Sequence, residues 1–160
     1  MPQKKQQDDF FLQQAIDLAV QSVAQQGGPF GAVIVKDGKI IGKGHNQVTK
    51  NCDPSAHAEI IAIRNACKTI NDYQLTDCTL YSSCEPCPMC MSAIYWARIP
   101  KLVFAATSAD AAQSGFDDQF IYDELAKPYS QRSISIKHNT HENSNKSFEK
   151  WLANNSRKEY

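Results

Sequence analysis

Apolar and polar residues alternate with two different periods along the first part of the chain. Residues 8–25 place apolar side chains three and four positions apart, which is the pattern of an amphipathic helix. The segment "FGAVIVKDGKIIGKGHN", residues 30–46, contains two β-branched runs separated by Asp37 and Gly38, which tolerate the positive φ angles of a two-residue turn. A helix followed by a β-hairpin is therefore predicted.

A second helical segment spans residues 53–70, "DPSAHAEIIAIRNACKTI". Asp53 is a suitable N-cap and Pro54 a suitable first helical residue, because a proline at that position loses no intrahelical hydrogen bond. The side chains expected to form the buried stripe of this helix are Ile60, Ile63, Cys67 and Ile70.

The rest of the chain continues the alternation of strands and helices. Pro86 and Pro88 are compatible only with the first turn of a helix, so residues 86–98 should form a helix that begins at a cluster of cysteines. Strands are predicted at 78–83, 101–107 and 133–138, with a loop and short helix within 108–126 and a last helix at 146–155. This order predicts an α/β layered domain with a partly parallel sheet.

Composition restricts the class of protein. The 160 residues, 42% of them hydrophobic, suit a single globular domain spanning 1–160. Seventeen basic residues balance seventeen acidic ones, so charge does not predict a nucleic-acid partner. The lack of a membrane-length apolar run or a signal peptide predicts a cytoplasmic protein with no membrane partner. In that reducing compartment the six cysteines are expected to be metal ligands and buried thiols.

The segment "SSCEPCPMC", residues 82–90, is the first candidate for chemistry. Cys87 and Cys90 lie three residues apart at a predicted helix start, so they project to one side, and the helix N-terminus favours their thiolate forms. Two thiolates supply half of a tetrahedral zinc site. Cys84 can add a third sulfur, and the remaining ligands must then come from upstream.

The upstream candidate is "HAE", residues 57–59. His57 at the start of one helix, with Cys87 and Cys90 at the start of another, gives three protein ligands and leaves the fourth zinc position to water, as in catalytic sites. Glu59 would then transfer protons. Two alternatives stay open at this point: a thioredoxin-like redox pair, and a closed structural site in which Cys84 is the fourth ligand.

The combination of H-x-E at one helix start with P-C-x-x-C at the next resembles the zinc-dependent cytidine deaminase superfamily. The similar region begins upstream of both motifs, with "GPFGAVIV" and "GHN". The resemblance implies a three-layer α/β domain whose central mixed sheet has about five strands flanked by helices. It also implies one zinc ion per subunit held by His57, Cys87 and Cys90, Glu59 as general acid and base, and Cys84 as a packed thiol.

Within the superfamily the chain is most similar to the bacterial guanine deaminases, through "GGPFGAVIVKDG", "DPSAHAEI", "GFDDQFIYDEL" and the terminal "KEY". This resemblance implies that Asn46 and Phe30 bind the base, and that Asp118 assists recognition or proton transfer. It further implies a homodimer in which residues 139–160, a C-terminal tail segment, are exchanged between subunits, so that Tyr160 closes the pocket of the partner.

The same residues also have simpler interpretations. Phe30 can pack in the core, Asn46 can satisfy a turn, and Asp118 can cap the helix that follows it. A chain end such as Tyr160 is ordered only when it is held in place.

The expected reaction is zinc-dependent hydrolysis of guanine to xanthine and ammonia. The alternatives are deamination of guanosine, cytosine, tRNA adenosine or an aminotriazine, and a zinc-stabilised module without catalysis.

Overall fold

The computed structural model describes the backbone of residues 2–160 and the side chains of residues 4–160. The chain divides into two compact units, Met1–Gln119 and Phe120–Tyr160. The strands are β1 (Gly31–Lys36), β2 (Lys39–His45), β3 (Cys78–Cys84) and β4 (Lys101–Ala106). The helices are α1 (Pro2–Ala24), α2 (Val48–Asn51), α3 (Ala58–Ile70), α4 (Pro88–Trp96), α5 (Ser108–Gln113), α6 (Gln119–Ala126) and α7 (Lys146–Ala153).

The four strands form one mixed sheet in the order β2-β1-β3-β4. β1 is antiparallel to both β2 and β3, whereas β3 and β4 are parallel. The predicted hairpin is confirmed, and its turn residues Asp37 and Gly38 have φ angles of 49° and 72°. The predicted α/β class with a mixed sheet is therefore confirmed.

The sheet has four strands where about five were expected, because the predicted strand at 133–138 is absent. Ile134 and Ile136 alternate with polar residues as in a strand, but a strand also needs a neighbour to satisfy its backbone hydrogen bonds. No strand in the described part of the chain pairs with this segment. Both isoleucines are accordingly exposed, at 72% and 42%.

Helices cover both faces of the sheet. One face packs against α1, and the apolar cluster there contains Phe11, Val33, Val35 and Tyr81. The other face packs against α3 and α4, and the larger cluster there includes Ala32, Ile34, Ala62, Leu80 and Ile94. Successive residues of β1 point to opposite faces and are buried on both, which explains its continuous apolar sequence.

Helix α3 begins at Ala58, four residues later than the predicted start at Pro54. The Asp53 carboxylate accepts hydrogen bonds from the Ser55 backbone N–H at 2.8 Å and from the Ser55 hydroxyl at 2.7 Å. These local bonds form a turn that competes with helix formation. Asp53 therefore caps a turn, and His57 occupies the N-cap position of α3.

The buried stripe of α3 consists mainly of alanines, because the helix lies unusually close to β2. A methyl group at Gly44 would lie 2.1 Å from the Ala58 carbonyl oxygen and 2.6 Å from the Ala62 nitrogen. The buried residues of the helix are Ala58, Glu59, Ala62, Ile63 and Ala66, whereas the expected Ile60, Cys67 and Ile70 are half-buried. Glycines on the strand thus fix the position of the first turn of α3.

The second unit, Phe120–Tyr160, contains most of α6, a short 3₁₀ turn and α7. The predicted last helix is confirmed as α7, and the region 108–126 forms two short helices, α5 and α6, instead of one. Every side chain of the second unit is exposed or half-buried.

None of the helices in the described part of the chain combines the length and apolar character that a bilayer crossing requires.

Candidate metal centre and active site

The candidate site lies at the edge of the sheet where β2, β3 and β4 end. This arrangement follows from the pairing, because β1 is antiparallel to β2 and β3 while β4 is parallel to β3. α3 and α4 both begin here, with His57 as the N-cap of α3 and Cys87 as the N-cap of α4. Pro88 is the first residue of α4, as its fixed φ angle favours.

His57, Cys87 and Cys90 form a group that fits a zinc ion. The Nδ1 atom of His57 lies 3.6 Å from the Cys87 sulfur and 3.5 Å from the Cys90 sulfur, and the potential ligand atoms all lie within 4.8 Å of one another. Zinc–sulfur bonds of about 2.3 Å and zinc–nitrogen bonds of about 2.0–2.1 Å at a tetrahedral angle separate the two atoms by about 3.6 Å. The donor set and its spacing therefore both suit zinc.

The electrostatics of this group also favour a metal. Hydrogen bonds from Cys90 and His57 lower the pKa of Cys87 to about 4. The hydrogen bond between Cys87 and His57 raises the pKa of His57. The hydrogen bond between Cys87 and Cys90, together with burial, raises the pKa of Cys90. One thiolate is thus already favoured in the protein alone, and a bound cation stabilises the deprotonated form of the second thiol.

Glu59 lies beside the ligand group in the first turn of α3 and is only 5% exposed. One carboxylate oxygen accepts a hydrogen bond from the Cys90 sulfur at 3.5 Å, and the other accepts one from the Ser82 hydroxyl at 3.3 Å. Burial raises the pKa of Glu59. Ser82 was not predicted from the sequence, although a serine at the α3-facing position of a buried strand, two residues after Leu80, was a detectable signal.

Cys84 lies outside the ligand group. Its buried sulfur donates a hydrogen bond to the Thr107 carbonyl oxygen at 3.5 Å, and burial raises its pKa to about 11. In the described part of the chain the potential metal group contains His57, Cys87 and Cys90 without Cys84. This arrangement argues against the closed site with Cys84 as fourth ligand and agrees with a packed thiol.

Asn46 directly follows β2 and is 8% exposed. Its side-chain oxygen accepts hydrogen bonds from the backbone N–H groups of Val48 at 3.2 Å and Gly28 at 3.4 Å. Its backbone carbonyl accepts a hydrogen bond from the Ser22 hydroxyl at 3.1 Å. Asn46 therefore does satisfy a turn, and its NH₂ group is the part of the amide that it can offer to a substrate.

Phe30 and Asp118 are both half-buried residues of the first unit. The Phe30 ring packs on the cluster beneath α3 and meets the Phe116 ring edge to face, with centroids 5.0 Å apart. Burial and the nearby Cys87 raise the pKa of Asp118. The bond to the start of α6 is made by Asp117, whose carboxylate accepts from the Gln119 N–H at 2.9 Å.

Tyr160 belongs to the second unit, where its side chain is 72% exposed. The first unit contains the three candidate zinc ligands, Glu59 and the three candidate substrate residues, and the role of Tyr160 stays a prediction.

Comparisons with known proteins agree with this site. Residues 5–106 match the family described as the cytidine and deoxycytidylate deaminase zinc-binding region. The Bacillus subtilis guanine deaminase is 54% identical over 94% of this chain and 97% of its own. Its X-ray structure covers 95% of this chain and 98% of its own at 52% identity, with a TM-score of 0.93.

Two more distant relatives match a shorter part of the chain. The structure of a Nitrosomonas europaea guanine deaminase is 33% identical and covers 68% of this chain and 63% of its own, with a TM-score of 0.65. The Aquifex aeolicus tRNA-specific adenosine deaminase is 44% identical over 61% of this chain and 65% of its own. The matched zinc-binding region contains both ligand-bearing helix starts, and the chain therefore belongs to the cytidine and deoxycytidylate deaminase family.

Proposed function

We propose that this chain is a zinc-dependent guanine deaminase, which hydrolyses guanine to xanthine and ammonia in purine metabolism. The observation that carries the proposal is the extent of the similarity. The Bacillus subtilis guanine deaminase matches 94% of the chain, whereas the Aquifex aeolicus tRNA-specific adenosine deaminase matches 61%. Similarity that continues over nearly the whole chain favours the guanine enzymes among the relatives that share the zinc-binding region.

His57, Cys87 and Cys90 would hold the zinc ion, and Glu59 would transfer the protons of the reaction. When bound, zinc supplies Lewis-acid activation of the water that attacks the amino-bearing carbon of the base. Glu59 would take one proton from that water and deliver it to the adjacent ring nitrogen; it would then take the remaining proton from the new hydroxyl group on the carbon and pass it to the amine, which leaves as ammonia as the carbonyl forms. The carboxylate suits this role because it lies 3.5 Å from the Cys90 sulfur without belonging to the ligand group.

Asn46, Phe30 and Asp118 select the base. The Asn46 NH₂ group donates to an acceptor on the edge of the base, the Asp118 carboxylate accepts from a ring N–H, and the Phe30 ring forms an apolar wall. Guanine offers a keto group and a ring N–H where adenine offers an amine and an acceptor. Adenine would therefore leave these polar groups without partners, which costs more affinity than a loss of apolar contact.

Ammonia release by the purified zinc-loaded protein tests the function. We expect guanine to be deaminated with a higher kcat/KM than guanosine, cytosine or adenine. Incubation with transfer RNA, followed by analysis for inosine, covers the activity named for the Aquifex aeolicus relative. Deamination of any of these alternatives in preference to guanine would refute the proposal. The absence of turnover with all of them, in protein with one zinc per subunit, would favour the non-catalytic module.

We also propose that the two units form one deaminase domain and that the enzyme is a homodimer that exchanges residues 139–160. The second unit buries no side chain, and large apolar surfaces of this kind are uncommon on monomers. Its exposed large apolar side chains are Phe120, Tyr122, Leu125, Tyr129, Ile134, Ile136, Phe148, Trp151, Leu152 and Tyr160. Light scattering after size-exclusion chromatography should give twice the monomer mass of 17.9 kDa, and the monomer mass would refute the dimer.

Complementation between variants tests the role of Tyr160 and the exchange together. Deletion of Tyr160 should reduce activity without lowering the melting temperature. Co-expression of that deletion with a Glu59→Gln variant then gives mixed dimers in which one subunit supplies Glu59 and the other supplies Tyr160. Recovered activity indicates that the tyrosine reaches the partner's site, and full activity of the deletion variant alone would remove Tyr160 from the mechanism.

A cytoplasmic location is part of the same proposal. None of the six cysteines, all of which the structure describes, forms a disulfide bond, which is the state that a reducing compartment maintains. Cell fractionation would test the location directly, and recovery from a secreted or membrane fraction would contradict it.

A further inference from the structure

Ser22 lies in α1, which packs on the face of the sheet opposite to α3, and it connects this helix to Asn46. It is located near the end of α1, its side chain is 0% exposed, and its hydroxyl donates to the Asn46 carbonyl oxygen at 3.1 Å. A hydroxyl at this depth is costly unless it has a partner, and that partner is the backbone of the residue proposed to bind the base. Phe30, the residue directly before β1, strengthens the connection, because the Asn46 N–H donates to the Phe30 carbonyl oxygen at 3.0 Å.

Gly27 and Gly28 lie directly against this connection. A methyl group at Gly27 would lie 2.5 Å from the Ser22 hydroxyl oxygen and 2.8 Å from the Asn46 carbonyl oxygen. A methyl group at Gly28 would lie 3.1 Å from the Asn46 Cγ atom and 3.2 Å from its Oδ1 atom. The two glycines thus allow the loop after α1 to approach both the backbone and the amide of Asn46.

The contacts also determine which end of the Asn46 amide faces away from the protein backbone. Oδ1 accepts from two backbone N–H groups, those of Gly28 and Val48. A rotation of the amide by 180° would bring its NH₂ group against these two donors and would break both hydrogen bonds. The amide is therefore held as a hydrogen-bond donor, and a ligand must present an acceptor to it.

We propose that Ser22 is a positioning residue for substrate recognition. Together with Gly27 and Gly28 it holds Asn46 so that the NH₂ group is presented to the base in one orientation before binding. Such preorganisation increases affinity because less freedom is lost when the base binds. The inference rests on the proposed function, in which Asn46 binds the base, and it adds residues of α1 and its following loop to the determinants of specificity.

Two variants test the inference by separate routes. Ser22→Ala removes the hydroxyl that holds the Asn46 backbone, and Gly28→Ala adds a methyl group against the amide itself. Each should raise the KM for guanine about tenfold, which is the cost of one misplaced hydrogen bond. The kcat should change little, because a contact with the base exists in both the ground state and the transition state.

Val35→Ala is the matched control for a general loss of stability. Val35 is buried on the face of β1 that packs against α1, the helix that contains Ser22. It lies near the end of β1, whereas Phe30 and the contact with Asn46 lie next to Gly31 at its start. We expect it to lower the melting temperature while leaving the KM for guanine unchanged. An unchanged KM in both Ser22→Ala and Gly28→Ala, or the same KM increase in Val35→Ala, would overturn the inference.

The side-chain amide of Asn46 gives a second readout that does not depend on turnover. Its NH₂ signals in the spectrum of ¹⁵N-labelled protein are identified by their loss in Asn46→Asp. They should shift and exchange faster with solvent in Ser22→Ala and Gly28→Ala, but not in Val35→Ala. If the wild-type protein does not deaminate guanine, the proposed function fails, while unchanged amide signals in both variants would refute the positioning role itself.

Discussion

Substitution of Gly44 by alanine should damage the active site although Gly44 is not one of the candidate metal ligands. The new methyl group would lie 2.1 Å from the Ala58 carbonyl oxygen, whereas such contacts essentially never fall below 3.0 Å. The first turn of α3 must therefore move away from β2 by about 1 Å. That turn carries His57 as its N-cap and Glu59 as its second residue, so both would shift relative to Cys87.

Gly44→Ala should lower three measured quantities: kcat, the melting temperature and the zinc content. A displacement of about 1 Å at a catalytic group costs about 10²-fold in rate, so kcat for ammonia release should fall by that factor. Overpacking costs about 1–3 kcal/mol, which corresponds to a fall of about 2–12 °C in melting temperature for a chain of this size. Bound zinc, measured by elemental analysis, should fall below one ion per subunit because His57 moves away from the two sulfurs.

Lys43→Ala is the control for this experiment. Lys43 is the neighbouring residue of β2, but its side chain is exposed and, by the alternation of the strand, points to the opposite face from Gly44. Its backbone carbonyl accepts a hydrogen bond from Asn65 of α3, and the substitution retains that group. It should leave kcat, zinc content and melting temperature close to those of the wild type. Values for Gly44→Ala that match those of Lys43→Ala would show that α3 does not depend on glycine at this position, and would refute the packing argument.

Three further predictions concern individual side chains. Glu59→Gln should keep its zinc and lose about 10²- to 10⁴-fold in kcat, whereas loss of zinc from it would contradict the assigned role. Cys87→Ser should lose both zinc and thermal stability, as elemental analysis and melting curves can show. A hydrogen bond from Lys101 lowers the pKa of Asp8 in the folded protein below its ordinary value of 3.8. The Asp8–Lys101 ion pair therefore stabilises the fold above pH 3.8, and this stabilisation is lost as the pH falls through the lower pKa of the folded state. The difference in melting temperature between wild type and Asp8→Asn should therefore be largest near neutral pH and shrink towards pH 3, and a constant difference would exclude this ion pair as its source.

Local sequence signals predicted the elements well where a single residue type determines the backbone. Asp37 and Gly38 marked the hairpin turn, and the two prolines marked the start of α4, which begins at Pro88 instead of the predicted Pro86. The start of α3 was misplaced because Asp53 forms a local turn with its carboxylate, and a sequence alone does not distinguish that turn from a helix cap. The absent strand at 133–138 has suitable periodicity, but pairing depends on a neighbour that periodicity cannot reveal.

The residues of the candidate site also divide into those that a local sequence pattern predicts and those that depend on distant segments of the chain. His57, Glu59, Cys87 and Cys90 were predicted together because H-x-E and P-C-x-x-C have recognisable spacing, and the structure brings His57, Cys87 and Cys90 into a group that fits a zinc ion. Ser82 and Ser22 were missed because serine is common and each acts through a partner more than 20 positions away along the chain. Contacts of this kind become visible only after the sheet has brought the segments together.

The locations of the zinc ligands and of the proposed base-binding residues have a consequence for how such enzymes diversify. The ligands and Glu59 belong to the starts of α3 and α4, whereas Phe30, Asn46 and Asp118 lie on segments that connect secondary-structure elements. Connecting segments tolerate substitution and insertion better than packed helices do. A lineage, or a laboratory, can therefore redirect this scaffold to another nucleobase by altering its loops while the hydrolytic chemistry is inherited unchanged.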